Sequence, residues 1–183
     1  GASGSRIAST VKKNVAAGFS IVQYTAGSAT NQSIGHGLGV PPKLVLIKKT
    51  SGTEGWIVWY EGADTDNWLE LNSSNAKGTG AGWGEVPTSS VVHLQDGNAG
   101  RSSGNGATYI AYCFADIASY QKIGTYNGSG SAGKRVYTDS NGDGTGTGGF
   151  QPRFVLIKCT THGSTEWLIF TSNVVDGSGD PTM

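Results

Sequence analysis

Charged residues are scarce in this chain of 183 residues: 13 basic and 13 acidic side chains make up 14% of it and cancel to a formal net charge of zero. Without a basic excess, no bulk electrostatic attraction draws the chain to nucleic acid. Helix-favouring composition is also lacking, with a single methionine, which argues against a helical bundle. No apolar run approaches the ~20 residues that span a bilayer. The composition therefore excludes charge-driven nucleic-acid binding and predicts no membrane insertion.

Cysteine is equally rare, since only Cys113 and Cys159 are present. Two cysteines cannot form the disulfide framework of a small secreted scaffold. Both lie in apolar runs, TYIAYCFA and FVLIKCT, and cysteine is among the most frequently buried residue types. We therefore predict two buried free thiols, with a single disulfide between them as the alternative.

Glycine is abundant, at 30 residues, and it separates short runs rich in aromatic and β-branched side chains. Such side chains suit a pleated, half-buried surface. Runs of this length with turn signals between them predict an all-β fold, an antiparallel β-sandwich or jelly-roll-like structure. The predicted strands are Phe19–Thr25, Lys43–Lys49, Trp56–Tyr60, Trp68–Leu71, Val91–Leu94, Thr108–Phe114, Gln121–Tyr126, Arg153–Cys159 and Glu166–Thr171.

An internal repeat is the strongest pattern in the sequence. The segment Val45–Lys48 reads VLIK, and so does Val155–Lys158; each is preceded by a proline and followed by a tryptophan. This similarity predicts two repeated β units. We expect residues 1–17 to be a linker or N-terminal arm, residues 18–119 to form the first unit and residues 120–183 an incomplete second unit.

The incomplete second unit is expected to leave a strand edge without a neighbour. An open edge is a template for pairing with another strand. The pattern therefore predicts that this edge is covered by more of a longer polypeptide or by a neighbouring subunit.

An acidic loop in the second unit resembles the first half of an EF-hand calcium loop. Asp139, Asn141 and Asp143 occupy alternate positions, with Gly144 and Thr145 next. Alternating oxygen ligands can surround a hard cation, and the glycine permits the sharp turn. The twelfth position is Phe150 and not the usual glutamate. Calcium bound by Asp139, Asn141, Asp143 and Thr145 is therefore one hypothesis, and a flexible hairpin tip is the other.

Aromatic residues form a second candidate site. Alternation within WIVWY places Trp56 and Tyr60 on one face of a strand and Trp59 on the other. One of these faces is expected to be core. The other face, together with Trp83 in a glycine-rich loop, is a candidate for contact between subunits or for stacking against a sugar.

No catalytic constellation is visible. The histidines His36, His93 and His162 have no partners at metal-ligand spacing and are interpreted as polar loop residues, although His93 lies in a predicted strand. The carboxylates Asp64, Asp66 and Glu70 are close in sequence, which is weak evidence for a glycosidase pair. The sequence therefore predicts a protein that is not an enzyme and binds no cofactor apart from the calcium considered above.

The motifs GHGLG-x-PP, YIAYCFA and GF-x-P-x-x-VLIK, as a set, resemble a phage-associated domain of unknown function. The resemblance extends from about Gly18 to Phe170. That domain occurs in tail-fibre-like virion structural proteins of marine and environmental bacteriophages, often beside LamG-like lectin jelly-roll domains. It provides no catalytic residues that can be transferred to this sequence.

The resemblance implies a structural component of a virion, located in the virion or outside the cell, that acts in assembly and host attachment. Its expected partners are further copies of itself, as a trimer or filament, and other virion proteins. Two alternatives remain: a lectin-like module that binds a host surface glycan, and an extracellular filament protein of cellular origin.

Overall fold

The computed structural model describes residues 5–80, 83–94 and 100–172, and these contain ten β-strands and no helix. The predicted all-β class is confirmed. Because the described residues form no helix, none of them provides a helix that could cross a membrane. The strands are β1 (Ser9–Asn14), β2 (Phe19–Thr25), β3 (Ser33–Gly35), β4 (Leu44–Lys49), β5 (Ile57–Tyr60), β6 (Leu69–Glu70), β7 (Val91–His93), β8 (Thr108–Phe114), β9 (Phe154–Ile157) and β10 (Leu168–Thr171).

Six strands form the main sheet, in the order β1-β2-β8-β4-β5-β6, with every neighbouring pair antiparallel. Strand β8 lies at its centre, paired with β2 along one edge and β4 along the other. The runs of β-branched and aromatic residues in these strands explain their central positions, because such side chains pack well on a pleated surface.

Alternation along the strands places the core on one face of this sheet. Val22 lies opposite Ala111, and Ala111 lies opposite Ile47; all three are fully buried. The short antiparallel pair β3–β7 and its loops cover this face with residues such as Ile34 and Val92. Two layers around one core are consistent with a β-sandwich.

Strands β9 and β10 form a separate two-stranded antiparallel hairpin. It belongs to neither of the other two sheets. Its side chains are half-buried or exposed, in contrast to those of the main sheet. The hairpin is therefore the part of the described structure with the least tertiary burial of apolar strand residues.

Two segment predictions were wrong. Residues 9–14, expected to lie in a linker or arm, form β1 at the edge of the main sheet. Val11 holds this edge strand in place, because it lies opposite Val22 and its side chain packs against the core. The segment Gln121–Tyr126 was predicted as a strand, but it has only a single bridge, from Gln121 to Ile117, and its residues are mostly exposed.

Candidate interaction surface

The two VLIK segments form hairpins with the same pairing register. Ile47 lies opposite Ile57 in β4–β5, and Ile157 lies opposite Leu168 in β9–β10. The backbone contact that follows each hairpin is also the same. Glu61 N–H donates to Lys43 O at 2.7 Å, and Ser172 N–H donates to Arg153 O at 3.0 Å. The sequence similarity therefore corresponds to one local structure at two places. A complete second unit stays a prediction.

Equivalent positions of the two hairpins differ sharply in exposure. In the first hairpin, Ile57 and Trp59 belong to the core and are at most 5% exposed. Leu168 and Phe170, the corresponding residues of the second, are 51% and 37% exposed. Exposed apolar side chains also extend to the opposite face of the second hairpin, where Ile169 lies. The same sequence pattern thus contributes core side chains in the first hairpin and largely exposed ones at the equivalent positions of the second.

The loop end of the second hairpin is fixed to β6 and to the segment that follows it by several hydrogen bonds. Trp167 Nε1–H donates to Glu70 O at 2.9 Å. Two backbone bonds join the hairpin loop to the segment after β6, from Thr165 N–H to Ser74 O and from Lys77 N–H to Thr160 O. The loop is therefore held in place while the strands project their apolar side chains outward.

The outer face of the main sheet, opposite the core, carries a row of half-buried aromatic rings. Phe19 stacks on Tyr112 with ring centroids 6.4 Å apart, and Phe114 packs on Phe19 at 4.8 Å. Trp56 continues the row, 5.9 Å from Tyr112. Four rings on one partly open sheet face form a second apolar surface, which we call the aromatic row.

The predicted aromatic site residues are divided between surface and core. Trp56 and Tyr60 are half-buried, whereas Trp59 lies in the core, which confirms that one face of this strand is core. Trp83 is only 1% exposed, and its Nε1–H donates to Asn67 O at 3.1 Å. Its ring is therefore closed to a stacking sugar, contrary to the suggestion that its loop leaves it accessible.

The acidic loop is organised around the Asp139 carboxylate. Oδ1 accepts the N–H of Gly142, and Oδ2 accepts those of Gly144 and Gly146. Asp143 accepts both the hydroxyl and the N–H of Thr145, and these bonds lower the pKa of its carboxyl. Both oxygens of Asp139 thus satisfy backbone donors in this conformation.

Calcium binding by this loop stays a prediction. Asn141 donates its side-chain N–H to Thr145 Oγ1 at 3.2 Å, so the four predicted ligands are close together. Within the described ranges, however, no group of three or more His, Cys, Asp or Glu side chains lies close enough together to hold a metal ion. Internal hydrogen bonds alone account for the shape of the loop.

The two thiols have opposite environments, and both cysteines are free, as predicted. Cys113 is buried between strands, which raises the pKa of its thiol to about 12. Cys159 is half-buried, so the prediction of two buried thiols was wrong for this residue. Hydrogen bonds from the Thr161 and His162 N–H groups and from the His162 ring lower the pKa of the Cys159 thiol to about 6.

His36 in the GHGLG motif has a structural role. It lies in the loop after β3, and its side chain is fully buried. Nδ1 accepts the Leu38 N–H, which leaves the proton on Nε2 to donate to Thr88 O at 3.1 Å. Burial lowers the pKa of the ring, and the imidazole is therefore neutral at pH 7.

The remaining polar candidates are used locally. His93 lies 3.6 Å from Glu85, and His162 contacts Thr161 and Cys159 in the loop of the second hairpin. Asp64 accepts the N–H of Asp66, and Glu70 forms an ion pair with Arg101 at 2.9 Å. These contacts give the Asp64 and Glu70 carboxylates a place in the local structure and provide no support for a glycosidase pair.

Comparison with known proteins gives one family. Residues 2–176 match a family described as a domain of unknown function, DUF7483. No curated protein and no solved structure matches the chain. The family match covers nearly all of the sequence, including both hairpins and the acidic loop. The chain therefore belongs to the DUF7483 family.

Proposed function

We propose that this chain is a non-enzymatic structural component of a bacteriophage virion, a β-rich module of a tail fibre or similar appendage that acts in assembly and host attachment. The observation that carries the assembly role is the uncovered hairpin β9–β10. Its exposed apolar side chains, which we call the hairpin patch, lie on both faces of the hairpin: Leu168 and Phe170 on one face, Phe154 and Ile169 on the other. Several exposed apolar side chains on one small element mark an interaction site, whereas single exposed apolar residues do not.

The source of the protein is proposed on a separate ground, the resemblance of GHGLG-x-PP, YIAYCFA and GF-x-P-x-x-VLIK to a domain of phage tail-fibre-like proteins. The composition is compatible with that setting. Few charges and many short strands separated by glycine favour rigid packing between copies, because little charge has to be desolvated at the contact.

Self-association through the hairpin patch tests the assembly role. Ile169 is 61% exposed, so Ile169→Lys removes apolar contact area without disturbing the core. We expect the wild-type weight-average mass, measured by sedimentation velocity, to rise with concentration above the 18.9 kDa of one chain. Ile169→Lys is expected to remain monomeric, because a lysine ammonium must be desolvated to enter an apolar interface.

The matched control is Val136→Lys. Val136 is exposed to a similar degree, 58%, but lies outside the hairpin. It should associate like the wild type. A wild-type chain that stays monomeric at millimolar concentration, or an Ile169→Lys variant that associates normally, would contradict the assembly role.

A lectin-like role is the second candidate, and the aromatic row is the observation in its favour. Trp56 and Tyr112 present half-exposed rings on an open sheet face, and such rings can stack against sugars. Glycan-array binding that Trp56→Ala abolishes, with sedimentation behaviour unchanged, would support this alternative over assembly.

A further inference from the structure

The direction of the backbone groups in β9 defines its open edge. In an antiparallel strand, the N–H and C=O of one residue point to the same side, and successive residues alternate. Arg153 accepts a hydrogen bond from Ser172 N–H, on the β10 side. Val155 and Ile157 therefore also face β10, whereas the backbone groups of Phe154 and Leu156 point to the opposite edge.

The same edge of the first hairpin is occupied. There, β4 pairs with β8 over six residues, from Leu44 opposite Phe114 to Lys49 opposite Tyr109. Within the described part of the chain, β10 is the only strand that pairs with β9. Strand β8 itself is already paired along both of its edges, with β2 and β4. The chain's own β8 therefore cannot also pair with β9.

The β8 side chains that lie opposite β4 show which residues fit beside a VLIK strand. Small residues lie opposite the core-facing side chains of β4: Ala111 opposite Ile47 and Cys113 opposite Val45. An aromatic residue, Tyr112, lies opposite Leu46 on the outer face. Val155, Leu156, Ile157 and Lys158 repeat the identities of residues 45–48, so the same alternation of small and aromatic partners fits them.

We propose that the open edge of β9 binds an antiparallel strand of a partner polypeptide whose residues alternate like those of β8, small opposite Val155 and Ile157 and aromatic opposite Leu156. This inference rests on the proposed assembly function and specifies the kind of segment that completes the hairpin. Binding combines main-chain hydrogen bonds from Phe154 and Leu156 with the side-chain match, as in other cases of strand addition.

A labelled peptide tests this proposal. The probe is a fluorescein-labelled peptide of residues 106–116 with Cys113→Ser, titrated with the full chain and followed by fluorescence anisotropy. We expect saturable binding. A peptide that also carries Ala111→Leu is expected to bind at least ~10-fold more weakly, the effect of about 1.4 kcal/mol, because a larger side chain then opposes Ile157.

Proline substitutions locate the binding edge. Leu156→Pro removes an N–H that points to the open edge, and proline is tolerated at such positions of edge strands. It should leave the β9–β10 pairing intact and abolish peptide binding. Phe154→Pro is a second variant with the same expected loss, so the test does not depend on the folding of one protein. Cooperative unfolding followed by tryptophan fluorescence checks that each variant is folded.

Two outcomes would overturn the proposal: no saturable binding to the wild-type chain, or equal binding to both folded proline variants. Sedimentation of the same samples separates this inference from the proposed function. Self-association that Ile169→Lys removes, together with absent peptide binding, would retain the assembly role and contradict only the proposed strand addition at β9.

Discussion

Replacing Trp83 with alanine is expected to lower the free energy of unfolding by about 3–5 kcal/mol, the usual cost of truncating a large buried aromatic side chain. Trp83 is 1% exposed and packs in the core with Ile34, Val92 and Leu94. Its removal leaves a cavity in the core and leaves Asn67 C=O without its hydrogen-bond donor. Urea unfolding followed by circular dichroism measures this loss directly.

The matched variant is Trp83→Phe, which keeps an aromatic ring in the site but removes the N–H donor. Its expected loss is smaller, about 1–3 kcal/mol for an acceptor left without its partner. Surface substitutions usually change stability by no more than about 0.5 kcal/mol. A Trp83→Ala loss within that limit, accompanied by lost glycan binding, would contradict the core assignment and restore the sugar-stacking hypothesis for this residue.

Gly18→Ala is expected to lower the free energy of unfolding by about 2–5 kcal/mol, from left-handed backbone strain and overpacking together. Gly18 ends the loop between β1 and β2 with a φ of 61°. A Cβ there would lie 2.6 Å from Ala115 O and 2.7 Å from Ile117 Cγ1. The backbone cannot move away easily, because Ala115 N–H donates to Gly18 O.

Gly39→Ala separates the two causes. Gly39 also has a positive φ, 80°, but no atom lies within 4 Å of the position of its Cβ. Only the backbone term of about 1–2 kcal/mol is then expected. Thermal or urea unfolding of both variants provides the comparison. Equal losses for Gly18→Ala and Gly39→Ala would show that the close approach to Ala115 has no energetic consequence.

Much of the sheet could be predicted from sequence because its strands are locally distinctive. The runs FSIVQYT and TYIAYCF coincide with β2 and β8, since runs dominated by β-branched and aromatic residues indicate a strand without knowledge of its partners. The segment STVKKN of β1 has no such signal. It is a strand because Val11 meets Val22 at the sheet edge. That contact is tertiary and does not appear in local composition.

The converse error has the same origin. Gln121–Tyr126 has alternating side chains, but no strand of the described structure lies beside it. A segment forms a strand only when its backbone pairs with a neighbouring strand, and the alternation of its side chains does not show whether such a neighbour exists. Trp83 was misjudged because its glycine-rich surroundings are typical of an exposed loop. Its hydrogen bond to Asn67 O and its place in the buried core cluster depend on how distant segments meet.

The candidate surface was partly predictable. Identity between Val45–Lys48 and Val155–Lys158 predicts similar hairpins, and their pairing registers agree. Sequence identity could not show that one hairpin is covered by β8 and the other is not, because burial depends on neighbours. The difference in exposure between Trp59 and Phe170 is therefore information that the structure adds.

We expect another polypeptide to cover the second hairpin when the protein assembles. Residue-resolved amide hydrogen exchange, recorded on the full chain in dilute and in concentrated solution, tests it most directly. The account predicts that the amides of Phe154 and Leu156 exchange at least about tenfold more slowly in concentrated solution, because covered amides open less often, while those of residues 127–137 are unchanged. Unchanged exchange at Phe154 and Leu156, in samples whose mass shows assembly, would contradict the account.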